Sequence, residues 1–320
     1  MIKQANELTF GDKKFSMILY GAPGVGKTTL ALSAPNPVLI DFDKGVSRVK
    51  AYHRRLTIVC DTYEEVLNDI QDPEIKDCET IIIDTGGSFV SYLQDYVMRE
   101  NPAVNKQKNG AISLKGFGAV KQEFQRFTNM VRDVMNKNVI YVFHSDEQKD
   151  KDGNPQQRLL CEGAARNIVW QPCDFGGYVQ MIGNTRVVTF TPTQEFFAKG
   201  CYGIEGQFNV PSIGPADKNE FLTNLFEKAR ANIEADNEAF APLKEQYDAT
   251  MIEVRKILDN IKTVDDANAA VASLPSLNHA LTSKKEASAL LSEKAKELGF
   301  TWDKTSKGYV VPAAESVGAN

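Results

Sequence analysis

The sequence predicts an α/β fold with a mainly parallel sheet flanked by helices, followed by a smaller, mostly helical C-terminal domain. Three observations predict it. From Phe15 to about Ile204, short β-rich runs alternate with helical patterns, as in a sheet whose strands are joined through helices. The run Thr80-Ile81-Ile82-Ile83-Asp84 is apolar on both faces, as a buried parallel strand is. Past residue 219 the chain reads as helix almost throughout, with apolar residues three and four apart.

Strands are expected at Phe15–Tyr20, Val38–Phe42, Thr57–Val59, Thr80–Asp84 and Val139–Phe143. The runs Tyr178–Ile182 and Arg186–Thr191 flank Gly183-Asn184-Thr185 and read as an antiparallel hairpin. Helices are expected at 27–34, 62–70, 87–99 and 118–136. Pro and Gly cluster over 206–219, which places a linker there, between a first domain at 1–205 and a second at 220–320. In the second domain Phe240, Leu243, Tyr247, Met251, Val254, Leu258 and Ile261 form an apolar seam, and Pro242 is expected to kink or interrupt its helix. A helix stop at Gly299 and a small hairpin follow, with a loose end over about the last eight residues.

Composition bounds the function. The chain has 320 residues, 42% hydrophobic and 25% charged, which excludes wholesale disorder, collagen and a disulfide scaffold. No apolar run approaches the ~18–20 residues of a membrane span, and the N-terminus lacks a secretory pattern. Five scattered cysteines without a CxxC pair suit a reducing cytoplasm. The three histidines, His53, His144 and His279, lack zinc-ligand spacing. The net charge of −5 argues at first against a nucleic-acid partner, but it is unevenly spread. Residues 216–320 hold 13 basic and 17 acidic side chains, which leaves the rest at −1. The segment 101–118 alone is +3.

One motif dominates. Gly21-Ala22-Pro23-Gly24-Val25-Gly26-Lys27-Thr28 fits GxxxxGK[ST], follows the strand FSMILY and opens a helix. Glycines let backbone N–H groups converge on phosphates, and the helix N-terminus adds its positive dipole end. Lys27 is expected to reach the β- and γ-phosphates, Thr28 to offer its hydroxyl to Mg2+, and Thr29 to contact the α-phosphate. The implied ligands are ATP and Mg2+.

Three strand ends supply the remaining candidates. Asp84, closing the apolar run before Thr85, is the expected second metal ligand, with an ordinary strand-ending Asp as the alternative. The strand VLIDFD ends on Asp41 and Asp43, two apart and so expected on one face. Asp43 is the candidate catalytic carboxylate and Asp41 the runner-up; a turn cap ahead of Lys44-Gly45 is the competing role. His144 ends the strand VIYVF and is a candidate sensor of the γ-phosphate, or a satisfied polar neighbour.

The P-loop, the acid after the second strand, IIID and VFHS, in that order, resemble the RecA-like P-loop ATPases. The likeness is greatest to AAA-type nucleotide-binding proteins of phages, among them recombination and single-strand-annealing ATPases. It covers about residues 10–205. The resemblance implies that Asp43 activates water and that His144 couples nucleotide to DNA. It also places DNA-contacting loops at about 101–118 and 145–166. The first carries Lys106, Lys108, Lys115 and Phe117 with no acid, a chemistry suited to phosphates and base stacking. The second mixes both signs, and a solvated hairpin tip is its default reading.

Hexameric motors of this class carry K-x-R-x-G, reaching into a neighbour's site. This chain has Lys199-Gly-Cys201-Tyr-Gly203, so Lys199 is a candidate trans finger while the arginine position is Cys201. The resemblance further implies a homo-oligomeric ring or filament, single-stranded DNA as ligand, a single-strand-binding or other replication protein as partner, and the host cytoplasm for a phage product. Two other functions compete with it: an ATP-dependent switch or helicase-loader-like scaffold binding a protein through the C-terminal helices, and a small-molecule kinase. The kinase ranks last, because the 11 arginines form no Arg-rich lid.

Overall fold

A computed structural model describes residues 12–161 and 169–312. It divides into two compact units, one spanning Phe10–Ile233 and the other built on Glu234–Asn320. In chain order the first unit contains β1 (Ser16–Gly21), α1 (Lys27–Ala31), β2 (Pro37–Asp41), β3 (Thr57–Ile58), α2 (Tyr63–Asp69), β4 (Thr80–Asp84), α3 (Gly86–Glu100), α4 (Pro102–Asn105) and α5 (Leu114–Asn129). Then come β5 (Asn138–Lys149), β6 (Pro155–Leu159), β7 (Phe175–Ile182), β8 (Thr185–Thr189), β9 (Gln207–Val210) and the start of α6 (Phe221–Asp259).

The sheet has nine strands in the order β3-β2-β4-β5-β1-β7-β8-β9, with β6 paired to β5 off this path. From β3 to β7 the neighbours are parallel; β8 and β9 close the edge antiparallel. Side chains alternate between two cores. Ile18, Tyr20, Ile81, Ile83, Val139, Tyr141 and Phe143 face α2, α3 and α5, where Val66, Phe89, Phe124 and Phe127 meet them. Met17, Leu19, Ile82, Ile140 and Val142 face the other way, toward Leu30 of α1 and Leu222, Leu225, Phe226 and Ala229 of α6. Both faces are covered, which is why the strands carry almost no polar residues. The predicted fold class is the observed one.

Register positions the site. Gly21 pairs with His144, Asp41 with Asp84, and Asp84 with Val142. The C-terminal ends of β1, β2 and β4, together with His144 of β5, therefore meet at one edge of the sheet. β5 sits between β1 and β4, so the sensor strand separates the P-loop strand from the strand ending in Asp84.

Three expectations need correction. The linker expected at 206–219 lies inside the first unit: Gln207–Val210 forms β9 against β8, and the Asn219 side chain donates to the Thr29 carbonyl at 2.9 Å. The Pro and Gly residues there punctuate a sheet edge and a helix approach, not a boundary. Residues 101–118 are not an open loop either. α4 occupies Pro102–Asn105, Lys106 bridges Ile112, and α5 begins at Leu114, with the Ser113 hydroxyl accepting from the Gly116 amide at 3.0 Å. Gly116 is there for packing, since a Cβ would lie 2.6 Å from the Asn105 carbonyl. Finally, β5 runs six residues past Phe143 and forms a hairpin with β6, whose tip is held by Asp150 accepting from the Asp152 and Asn154 amides. This is the solvated hairpin; the end of the expected second loop, 162–166, lies outside the described residues.

The second unit holds the rest of α6, then α7 (Val264–Ser273), α8 (Ser283–Glu297), β10 (Thr301–Asp303) and β11 (Gly308–Val310). Its core gathers Met251, Val254, Leu258 and Ile261 of the seam with Ala267, Ala270, Leu291, Ala295 and Tyr309. Phe240 and Leu243, also in the seam, stay 45% exposed. Pro242 does not end the helix, which continues through it. Gly299, at φ 78°, stops α8, and the predicted hairpin follows. The expected loose end, 313–320, lies outside the described residues. Among the described residues no helix is long and apolar enough to cross a membrane.

Candidate active site

The P-loop leaves β1 at Gly21 and enters α1 at Lys27. Gly24 and Gly26 take left-handed φ values of 79° and 85°, which a side chain would strain. Ala22, Pro23 and Gly24 are exposed while Lys27 is 5% exposed. The Lys27 ammonium donates to the Gly21 carbonyl at 3.0 Å and the Ala22 carbonyl at 2.9 Å, with His144 Nδ1 3.4 Å away. Burial pulls its pKa down to about 8, against the opposing pull of Asp84 and Asp43. A buried ammonium held only by dipoles and one ring nitrogen is short of counter-charge, so the loop fits an anion.

Thr28 donates its hydroxyl to Asp84 Oδ2 at 2.6 Å. Asp84 is 7% exposed, and burial pushes its carboxyl up to about 6; Asp41 and Asp43 add to the rise, while Thr28 and Lys27 oppose it. A hard oxygen pair at the foot of a phosphate loop fits Mg2+, which takes one or two carboxylates and its other ligands from phosphates and water.

Asp41 and Asp43 part company. Asp41 ends β2, is 2% exposed, and accepts from the Gly45 and Val46 amides at 2.9 and 2.8 Å. The cap role weighed for Asp43 thus belongs to Asp41. Asp43 lies beyond the strand, so the two-residue period no longer applies. Its Oδ1 accepts from the Ser88 hydroxyl at 3.0 Å, and Arg48 Nη2 lies 3.7 Å from Oδ2. Asp43 lines one cleft of about 180 Å3 with Gly24, Gly26, Lys27, Thr28, Thr29, Asp84, Thr85, Arg48 and His144. His144 is half-buried, and burial, then Lys27, hold its pKa below the usual imidazole value, which favours the neutral ring.

The other predicted residues stand elsewhere. The Lys199 ammonium donates to the Cys173 carbonyl, and its backbone pairs with Gly176 near the start of β7. Gly176 pairs with Ile18, three residues before the P-loop, so Lys199 is not brought into this cleft. Lys106, Lys108 and Lys115 are exposed, and Phe117 is partly buried on the first turn of α5. All fifteen residues of α3 separate them along the chain from Asp84, about 22 Å of helix.

Two arginines were not singled out from the sequence. Arg48 enters the cleft from a 3₁₀ turn at Val46–Arg48. Arg186 on β8 donates through Nε to the Val25 carbonyl at 2.5 Å, and its guanidinium fills the space where a Gly26 Cβ would be. Neither belongs to a local motif; each arrives through tertiary packing.

Comparison with known proteins assigns a family to the part of the chain that holds this cleft. Residues 13–202 match the family described as AAA domain. Among solved structures, the flagellar accessory protein FlaH from Methanocaldococcus jannaschii is similar over 55% of this chain and 76% of that one, at 9% identity and a TM-score of 0.28. No curated protein matches. The family match spans more than half of the chain and contains the phosphate loop, Asp84 and His144. The chain belongs to the AAA domain family of P-loop nucleoside triphosphatases.

Proposed function

We propose that this protein binds ATP with Mg2+ and hydrolyses it, acting on DNA in recombination, single-strand annealing or replication, in the phage setting its resemblance suggests. The observation that carries the hydrolytic part is convergence: Lys27, Thr28, Asp43, Asp84 and His144 line one cleft although they come from four separate strand–loop units. Lys27 and the P-loop amides bind the β- and γ-phosphates. Thr28 and Asp84 would hold Mg2+, which would supply charge neutralisation at the phosphate oxygens. Asp43, fixed by Ser88, orients the attacking water and accepts its proton. His144 reports phosphate occupancy along β5, which continues unbroken to Lys149 in the hairpin with β6.

The DNA part rests on Lys106, Lys108 and Lys115, exposed in a segment without acids. Turnover of the isolated chain is slow, and DNA or assembly into a ring or filament raises it. A second reading, an ATP-dependent switch or loader-like scaffold, draws support from Phe240 and Leu243, large apolar side chains each 45% exposed on α6.

ATP turnover measured with and without single-stranded DNA separates the two: stimulation supports the first, and none supports the second. Lys27→Ala is expected to weaken ATP binding by roughly 100-fold or more; unchanged binding would overturn the P-loop assignment. Replacing Lys106, Lys108 and Lys115 together by Ala should weaken DNA binding and lower its salt slope by ~2. An unchanged affinity and slope would remove this segment from the DNA interface.

A further inference from the structure

We propose that Arg48 is the guanidinium that neutralises the transferred phosphoryl group, and that the chain supplies it to its own cleft. The inference rests on the ATPase reading above. It answers the departure at Cys201, since the cation missing from the K-x-R-x-G position is present in cis on another element.

Four observations lead there. Arg48 lines the same cleft as Lys27, Thr28, Asp84 and His144. Its turn is anchored: the buried Asp41 carboxylate accepts from the Gly45 and Val46 amides, tying the turn to the end of β2. The guanidinium folds back over Gly45, where a Cβ would sit 3.3 Å from Cζ. Its ion pair with Asp43 is long at 3.7 Å, and the side chain is 69% exposed, so the pair is weak and exchangeable.

Three other cations singled out above rest on backbone carbonyls. Lys27 is held by the Gly21 and Ala22 carbonyls, Arg186 by Val25 and Lys199 by Cys173. Arg48 instead forms its ion pair with Asp43, a carboxylate that itself belongs to the chemistry. A γ-phosphate carries more charge than Asp43 and accepts the planar fork bidentately. When Arg48 turns to it, Asp43 loses its counter-ion and is released to accept the proton of the attacking water. The empty and the ATP-bound cleft thus differ by one exchanged ion pair, and its contribution to rate comes from the part of the new contact that strengthens as the phosphoryl group is transferred.

The test measures binding of ADP, and of ADP with aluminium fluoride and Mg2+, to the full chain by calorimetry, beside Mg-ATP turnover. Arg48→Ala should keep ADP affinity within about threefold, lose at least about 100-fold in capture of ADP–aluminium fluoride, and turn over roughly 10²–10³-fold more slowly. Arg48→Lys should recover only part of each loss, because a point charge lacks the fork. Unchanged capture of ADP–aluminium fluoride by Arg48→Ala would overturn the proposal. So would an equal fall for ADP and ADP–aluminium fluoride, which marks a contact to the diphosphate and not to the transferred group. Melting curves identify an unfolded variant; were Arg48→Ala unfolded, Arg48→Lys carries the same comparison. Lys27→Ala separates the two claims: if the unaltered chain neither binds nucleotide nor turns it over better than Lys27→Ala, the ATPase reading fails first and this inference with it.

Discussion

At the scale of single residues, two groups in the cleft are held against their preference in water. Burial lowers Lys27 to about 8 and raises Asp84 to about 6. Both shifts disfavour the charged form and therefore cost stability at neutral pH in the absence of ligand. For Asp84 the folded chain keeps a proton between pH ~4 and ~6 that the unfolded chain has lost. Stability falls as pH rises through that window, and the cost is complete above it. Asp84→Asn removes the cost while its amide oxygen still accepts from Thr28. The ligand-free variant should be more stable than the parent at pH 7.5 by about 1–3 kcal/mol, with the advantage gone below pH ~4. Denaturant melts at the two pH values check this; an equal gain at both would mean that charge is not its origin. With Mg-ATP present the order should reverse, because the parent gains binding free energy that the variant lacks.

At the scale of elements, the P-loop is braced from outside its own motif. β8 sends Arg186 to the Val25 carbonyl, packing its guanidinium over Gly26. Arg186→Ala should raise the ATP Kd by about tenfold, one lost charge-assisted hydrogen bond, with Arg186→Lys intermediate and kcat little changed. A Kd equal to that of the parent would reduce the contact to a passive one. This brace also marks where sequence stops being informative. Gly21–Thr28 was legible as a motif, and Asp84 as an apolar run closing on a polar residue; His144 carries that second signal too, although β5 runs on to Lys149. Asp41 and Asp43 were not separable, since alternation holds only while the strand lasts and β2 stops at Asp41. Lys115 and Phe117 read as loop because glycine is a loop signal, whereas Gly116 is small so that α5 can pass Asn105. Arg48 and Arg186 had no local signature; distance along the chain hid them until the sheet brought them to the loop.

At the scale of the molecule, charge and composition described two bodies but located their division too early. The Pro and Gly residues of 206–219 mark the last sheet edge, and the first body closes only with the opening turns of α6. Leu222 and Phe226 are fully buried there, Leu225 is 5% exposed, and the Thr223 amide donates to the Ser33 carbonyl at 3.0 Å. Ser33 lies just past α1, so these turns also cover the back of the phosphate loop's helix. Removing Leu222, Leu225, Phe226 and Ala229 uncovers one face of the sheet, at about 1.5–3 kcal/mol for each large side chain. The sum, roughly 5–9 kcal/mol, rivals the whole stability of an ordinary domain. A fragment ending at Ile233 should therefore unfold cooperatively and retain Mg-ATP binding, whereas one ending at Asn219 should be aggregated or molten under the same conditions. Denaturant unfolding and nucleotide binding on the two fragments decide it. A stable, nucleotide-binding fragment ending at Asn219 would move the boundary back to the Pro/Gly segment, and would make the α6 contacts dispensable to the fold that carries the site.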